Sequence, residues 1–180
     1  AATESRLRKF EGSSVLITGS CGFIVSYLVD LLAWCNENLF SRPCKIVGFD
    51  NHIVGDACRL KHLENDPNVH LFPWGIAWRG SGPDIPPCAW IFHCAGIASP
   101  VVYRKRPLDT LEVNVIGTWN MLEWAKRWGV EGFLQFSSSE VYGEPAIVPT
   151  PETYVGRIPM LGPRSSYDIG KVAGETICYH

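Results

Sequence analysis

Val15-Leu16-Ile17-Thr18-Gly19-Ser20-Cys21-Gly22-Phe23-Ile24-Val25 is the stretch from which the fold is read. Val15, Leu16 and Ile17 form a short apolar run suited to a strand covered on both faces. Gly19 permits a tight turn, and Gly22 lets the backbone come close to a phosphate. From Gly22 a helix begins, and its unpaired N–H groups and positive dipole end face the turn. A strand, a glycine turn and a helix N-terminus in this order form a dinucleotide pyrophosphate site. The same residues also describe an ordinary strand-to-helix turn. The position where a dinucleotide turn carries its third small residue is occupied by Val25.

Outward from this stretch, strands alternate with helices. The first strand covers about 13–18, after a polar lead-in at 1–12. Its helix runs from Gly22 to Asn36, with Ile24, Tyr27, Leu28, Leu31 and Leu32 at helical spacing. A second strand spans Cys44 to Asp50. Asp50 at its end reads as the acid that accepts hydrogen bonds from an adenosine ribose, favouring NAD over NADP. It also reads as a loop or helix-capping acid. The polar insert at 37–43 lengthens its spacing from Gly22. A short helix is predicted over Asp56–Asn65 and a weak third strand over Val69–Phe72.

Gly75 to Pro87 contains Gly80, Gly82, Pro83, Pro86 and Pro87, so an irregular crossover with at most one helical turn is predicted. A fourth strand covers Cys88–Cys94, and a long amphipathic helix Pro107–Trp128. A fifth strand spans Val130–Phe136 and ends at Ser137-Ser138-Ser139. A proline-rich loop at 144–163 precedes a last helix from Ser165. The pattern predicts an α/β fold: a Rossmann-type, doubly wound parallel sheet in order 3-2-1-4-5, with right-handed crossovers and helices on both faces.

The 180 residues suffice for one domain with a real core, and 46% apolar with 19% charged residues fits a globular chain. A net charge of −2 argues against nucleic acid as a partner. No apolar run is long enough for a bilayer, and residues 1–12 lack the apolar core of a signal peptide, so no membrane partner is expected. The seven cysteines are scattered without zinc-like spacing, so no metal site is expected. They read as reduced thiols of a cytoplasmic protein, mostly in or near the core. Trp34, Trp119, Trp124 and Trp128 fall in predicted helices and read as core or interface packing rather than ligand stacking.

Tyr167 and Lys171 stand at i and i+4 and share one face of the last helix. An ammonium beside a phenol favours the phenolate, which makes Tyr167 a candidate base. Taken alone, the two also read as a surface pair. Ser138 lies at the carboxyl end of the fifth strand, where open α/β sheets bind ligands. Its hydroxyl is therefore a candidate to hold the oxygen that Tyr167 deprotonates.

Several stretches together resemble the extended short-chain dehydrogenase/reductase family, the NAD-dependent epimerases and dehydratases of nucleotide sugars. They are Thr18 to Ile24, Asp50-Asn51, His93-Cys94-Ala95-Gly96, Glu112 to Thr118 around Asn114, Ser137 to Gly143, and Tyr167 to Lys171. The resemblance covers about residues 13–180. Ser139-Glu140-Val141-Tyr142-Gly143 and Gly162-Pro163-Arg164-Ser165-Ser166-Tyr167-Asp168 look most like UDP-glucuronate decarboxylases.

The resemblance implies that NAD is held by Gly19, Cys21, Gly22, Phe23, Ile24, Asp50, Asn51, Ile76, Cys94, Ala95, Gly96, Tyr167 and Lys171. It gives Ser138 the hydroxyl role, Glu140 that of an extra acid, Tyr167 the base, and Lys171 a double duty at Tyr167 and the nicotinamide ribose. Ser99, Asn114 and Arg164 are implied on the substrate side. Asn114 is a structural or water-holding residue, and Arg164 reads equally as a solvated loop arginine. The implied reaction removes the proton of the sugar 4-hydroxyl through Tyr167 as the C4 hydride passes to NAD. The resulting β-keto acid loses CO₂, and the hydride returns.

Gly75 replaces an acid that touches adenine in the family, and Cys94 a leucine. The resemblance also implies a truncated chain whose small substrate-binding part is missing, and a homodimer through the 107–128 helix. A 4,6-dehydratase or a 4-epimerase is the alternative within the family. An inactive nucleotide-binding or interaction domain is the alternative outside it.

Overall fold

The structure is a computed structural model that describes residues 2–80 and 82–180. Five short strands, β1 (Ser14–Thr18), β2 (Lys45–Phe49), β3 (Val69–Phe72), β4 (Trp90–His93) and β5 (Gly132–Gln135), make one sheet in the order β3-β2-β1-β4-β5. Every neighbouring pair is parallel. This is the predicted sheet. Thr18 lies opposite Phe49 and His93, so β1, β2 and β4 end together and place the Gly19 turn, Asp50 and Cys94 on one edge.

The apolar run of β1 is buried on both faces. Alternate residues point to opposite sides of a strand, and the two cores divide accordingly. Val15, Ile17 and Ile46 pack with Val25, Val29, Leu32 and Cys35 of α2 (Phe23–Asn38), and with Leu60 and Leu63 of the 3₁₀ segment Ala57–Leu63. Leu16, Val47, Phe49 and Ile91 pack on the other side with Ile76, Met121 and Ala125. Each fully buried aliphatic side chain contributes about 1.5–3 kcal/mol, so these two layers hold the sheet edge in place.

Four features depart from the expectations. Residues 2–10 are helical rather than a simple lead-in: α1 (Ala2–Leu7) runs into a 3₁₀ turn at Arg8–Phe10. Phe10 sets its ring edge-on to Trp90 and Phe92 at 5.2 and 5.6 Å, so an apolar anchor within a polar stretch orders it. A short helix, α3 (Pro100–Lys105), follows β4, with Pro100 at the first position where its missing N–H costs nothing. The predicted helix 107–128 is α4 (Pro107–Glu112) and α5 (Thr118–Trp128) joined by a π turn at Val113–Gly117. A 3₁₀ turn at Ser139–Tyr142 follows β5. The last helix, α6 (Ser165–Tyr179), begins where predicted.

The described residues between 75 and 87 contain no helix, as their prolines and glycines require. Trp124 and Trp128 pack against the Leu16 layer, whereas Trp34 and Trp119 are more than half exposed and lie outside the core. All seven cysteines are free, and Cys58 alone is exposed. Among the described residues no helix is long and apolar enough to cross a membrane.

Candidate active site at the carboxyl edge of the sheet

A cleft of about 570 Å³ opens where β1, β2 and β4 end. Its floor is the glycine turn. The Gly19 and Ser20 N–H groups both donate to the Phe49 carbonyl, at 2.7 and 3.2 Å, and the Gly22 N–H closes the turn on Gly19 O at 2.9 Å. Gly19 has φ +69°, and a Cβ there would come within 2.9 Å of Ala95 Cα. Both conformation and space therefore demand glycine. The first turn of α2 projects its free N–H groups from Phe23 onward toward this floor.

Asp50 is only 8% exposed, yet it borders the cleft. Its Oδ2 accepts the Cys21 N–H at 3.0 Å and its Oδ1 the His52 N–H at 2.7 Å. The carboxylate thus ties the glycine turn to the end of β2. The Cys21 side chain is buried in the core, with its Sγ 4.0 Å from Ser20 Oγ, and its carbonyl accepts Arg59 Nη1 at 3.0 Å. Asn51 Oδ1 accepts the Ile53 N–H at 3.2 Å.

At the far end α6 brings Tyr167 and Lys171 to the same wall, both buried. Lys171 Nζ donates to the Phe136 carbonyl at 2.8 Å and stands 5.9 Å from the centre of the Tyr167 ring. Burial pulls the lysine down to about 8, a poise suited to proton exchange near neutrality. Tyr103 of α3 stacks on Tyr167 at 5.3 Å with the rings within 9° of parallel, which orients the phenol. Burial raises the Cys94 thiol to about 12, so it is not a nucleophile here.

Behind this wall lies a chain of hydrogen bonds through His93. Thr118 donates its only hydroxyl proton to the Asn114 carbonyl at 2.6 Å. The 3.0 Å contact between Thr118 Oγ and His93 Nε2 therefore needs a proton on Nε2. Nδ1 is then the acceptor for the Thr18 hydroxyl at 2.8 Å. Thr18 Oγ in turn accepts the N–H groups of Cys94 and Ala95 at 3.1 and 3.0 Å. This accounting assigns one tautomer, and burial holds the ring neutral, with its pKa lowered to about 3. The Asn114 carbonyl that Thr118 Oγ reaches lies on the π turn. Asn114 sits on that turn, 1% exposed, with Nδ2 on the Thr110 carbonyl at 2.8 Å and Oδ1 without a hydrogen-bond partner. A Cβ on Gly96 would lie 3.2 Å from Lys171 Nζ and 3.7 Å from Asn114 Oδ1, so these two polar atoms flank the same glycine.

The structure brings Gly19, Gly22, Phe23, Ile24, Asp50, Asn51, Ile76, Cys94, Ala95, Gly96, Tyr167 and Lys171 together around the cleft. It leaves Cys21, Ser99, Asn114, Ser138, Glu140 and Arg164 off the wall. Ser138 Oγ accepts the Glu140 N–H at 3.2 Å and caps the 3₁₀ turn, while its neighbour Ser137 borders the cleft. Glu140 is paired with Arg164, whose Nε is 3.9 Å from Asp168 Oδ2. Ser99 heads α3. Tyr103, Trp74 and Trp78 belong to the site or its support and carried no motif in the sequence, whereas Thr18 and Thr118 stood in the stretches of resemblance without a role of their own. For Thr18 and Thr118, their equal reach to the two nitrogens of one histidine appears only once the strands are paired.

Residues 15–180 match the NAD dependent epimerase/dehydratase family. The chain belongs to that family. Among curated relatives of this epimerase/dehydratase chain, UDP-glucuronic acid decarboxylase 5 of Arabidopsis thaliana is 39% identical over 165 residues, covering 92% of this chain and 45% of the relative. UDP-glucuronic acid decarboxylase 1 of Xenopus tropicalis is 37% identical over 165 residues, covering 92% and 36%. The UDP-glucose 4-epimerase of Thermotoga maritima, solved with UDP-glucose, superposes with a TM-score of 0.72 at 27% identity, covering 92% of this chain and 50% of that one. The chain thus spans less than half the length of these two curated relatives.

Proposed function

We infer that the chain is the NAD-holding part, residues 1–180, of a nucleotide-sugar-modifying enzyme that acts as a UDP-glucuronate decarboxylase. The observation that carries this reading is a single cleft with the Gly19 turn and Asp50 at one end and Tyr167 with Lys171 at the other. Their order along one cleft suits a dinucleotide whose adenosine half lies over Asp50 and whose nicotinamide half reaches Lys171. The Gly19 turn suits a pyrophosphate, because Gly19 and Gly22 line the cleft without side chains at the start of α2. NAD, when bound, supplies the hydride acceptor and donor.

The chain's own residues do the rest. Tyr167 takes the proton of the sugar 4-hydroxyl. Lys171, tied to the Phe136 carbonyl, stabilises the phenolate form that acts as the base, and the proton transfer leaves Tyr167 as the neutral phenol. Oxidation at C4 places a ketone β to the sugar carboxylate, which is what loss of CO₂ requires. Ser137 and Ser138 are the hydroxyls nearest this end of the fifth strand, and Ser138 is the proposed partner of the 4-oxygen. Glu140 takes part after release from Arg164. Arg164, Asn114 and Ser99 remain the proposed substrate-side residues, with Asn114 acting through Lys171. The Arabidopsis relatives support the decarboxylase reading over an epimerase or a dehydratase. The exposed Leu108 and Trp119 of the 107–128 segment support a homodimer, and the free thiols support a cytoplasmic setting.

The Glu140–Arg164 pair favours a second reading, a nucleotide-binding domain without turnover. The test is calorimetry of NAD on the 180-residue chain, followed by UDP-glucuronate turnover in a chimera carrying a relative's C-terminal half. NAD binding, CO₂ release by the chimera and none by its Tyr167→Phe variant are expected. NAD binding without CO₂ release establishes the second reading, and near-native turnover in Tyr167→Phe removes the assigned base.

A further inference from the structure

Past Asp50 the cleft continues beyond the end of β3, where Trp74 to Trp78 form its wall. A dinucleotide with its pyrophosphate on the Gly19 turn and its adenosine ribose at Asp50 carries its purine to this wall. A purine offers two handles there, its π face and its exocyclic amino group. Gly75 has no side chain, so the wall lacks at that position a side-chain acceptor for the amino group.

Two indoles stand there instead. Trp74 and Trp78 lie 6.0 Å apart, tilted by 59°. Trp74 packs against the Leu16 layer. Trp78 is 65% exposed, which gives it little part in folding. Its backbone is nonetheless fixed. The Trp78 N–H donates to Gly75 O at 3.2 Å, and Asn120 Nδ2 on α5 reaches the carbonyls of Ile76 and Trp78 at 2.8 and 3.2 Å. A large exposed ring on a pinned turn is a stacking surface that needs little further ordering when a ligand arrives.

We propose that Trp78 is the base-recognition residue of this cleft: it stacks on the purine of the cofactor in place of a carboxylate contact at position 75, and so makes the site tolerant of the group at purine C6. The proposal rests on the NAD reading above. Three carboxylates do border the cleft, and none stands on the Trp74–Trp78 wall. Asp50 is engaged by two backbone N–H groups, Asp109 lies 3.4 Å from Arg106, and Glu112 stands on α4. Stacking is indifferent to the C6 substituent, because every base has a π face.

The test compares NAD with nicotinamide hypoxanthine dinucleotide, which carries an oxo group at C6, by calorimetry on the 180-residue chain. Wild type is expected to bind both within about threefold, and Trp78→Ala to weaken both about tenfold, the scale of one base–aromatic stack. Trp78→Phe should keep most of the affinity, and the melting temperature of Trp78→Ala should stay at the wild-type value. Gly75→Asp should restore preference for adenine; a Cβ there meets nothing nearer than Asn51 Nδ2 at 3.4 Å. Binding of NAD unaffected by Trp78→Ala overturns this proposal alone. A strong wild-type preference for NAD that Glu112→Gln abolishes also overturns it, by moving recognition to α4. Failure of wild type to bind either dinucleotide overturns the cofactor reading and this proposal with it.

Discussion

Lys171 is 4% exposed, and its ammonium donates to the Phe136 carbonyl. Its pKa is depressed from 10.5 to about 8, so the folded state disfavours the charge that the unfolded chain carries freely. Stability is therefore highest above pH 10.5 as far as this group is concerned, and is lost as pH falls to about 8, below which the penalty is constant. Lys171→Met removes the charge and keeps the stem. It is expected to raise stability at pH 7 by about 1–3 kcal/mol while weakening NAD binding, checked by urea unfolding and calorimetry. His93 follows the same sign at lower pH. Its depressed pKa of about 3 makes its contribution complete above 6.5 and steadily lost as pH falls toward 3. His93→Phe should be less stable at pH 7 by about 1–3 kcal/mol, because Thr18 and Thr118 lose their partner. It should also show a shallower loss of stability between pH 6.5 and 3, by up to about 1.4 kcal/mol per pH unit. Equal slopes in the two proteins would refute the assigned neutral ring.

At the scale of elements, the contact between β1 and α2 carries the clearest departure from the dinucleotide pattern. Val25 is 7% exposed and packs with Val15 and Ile17, and a Cβ on Gly22 would meet its Cγ2 at 3.7 Å. It therefore fills the contact between the first turn of α2 and β1, beside Gly22. Val25→Gly should tighten NAD binding while lowering stability by about 2–4 kcal/mol, the sum of lost burial and the helix cost of glycine. Calorimetry and thermal melts separate the two effects; unchanged or weaker affinity would mean that the helix has already repacked around the valine. The strands, their order and the helix carrying Tyr167 were legible because each rests on a long-wavelength signal, an apolar run or a helical period. The π turn at Val113–Gly117 was not, because one extra residue in a helix shifts the period too little to register. Ser138 shows another limit. Its place at the strand end is legible, but its capping bond to Glu140 is a choice between nearby hydrogen-bond partners, which composition does not encode. The ionic partner of Glu140 stands 24 positions away in sequence, and only the packing of α6 beside the 139–142 turn brings it near.

For the whole molecule, the outer surface holds apolar groups that a small monomer usually hides. Leu108, Leu111 and Trp119 are exposed along the α4–α5 rod, and Leu134 is 46% exposed on the edge strand β5. Exposed apolar rows and open strand edges promote association. The chain is expected to sediment as a concentration-dependent dimer, and Leu108→Glu with Trp119→Glu to return it to monomer without changing its far-UV circular dichroism. A monomer at all concentrations would remove the homodimer from the proposed function.

The two backbone N–H groups held by Asp50 bear on time rather than strength. A turn already folded onto β2 and capped by a carboxylate has no closing step left to make when a ligand arrives. Encounter should then limit capture, with an association rate on the order of 10⁵–10⁷ M⁻¹s⁻¹, and residence time should carry nearly all differences in affinity. Asp50→Ala should reverse this: stopped-flow traces should gain a slow phase, independent of ligand concentration, in which the loosened turn finds its shape before each capture.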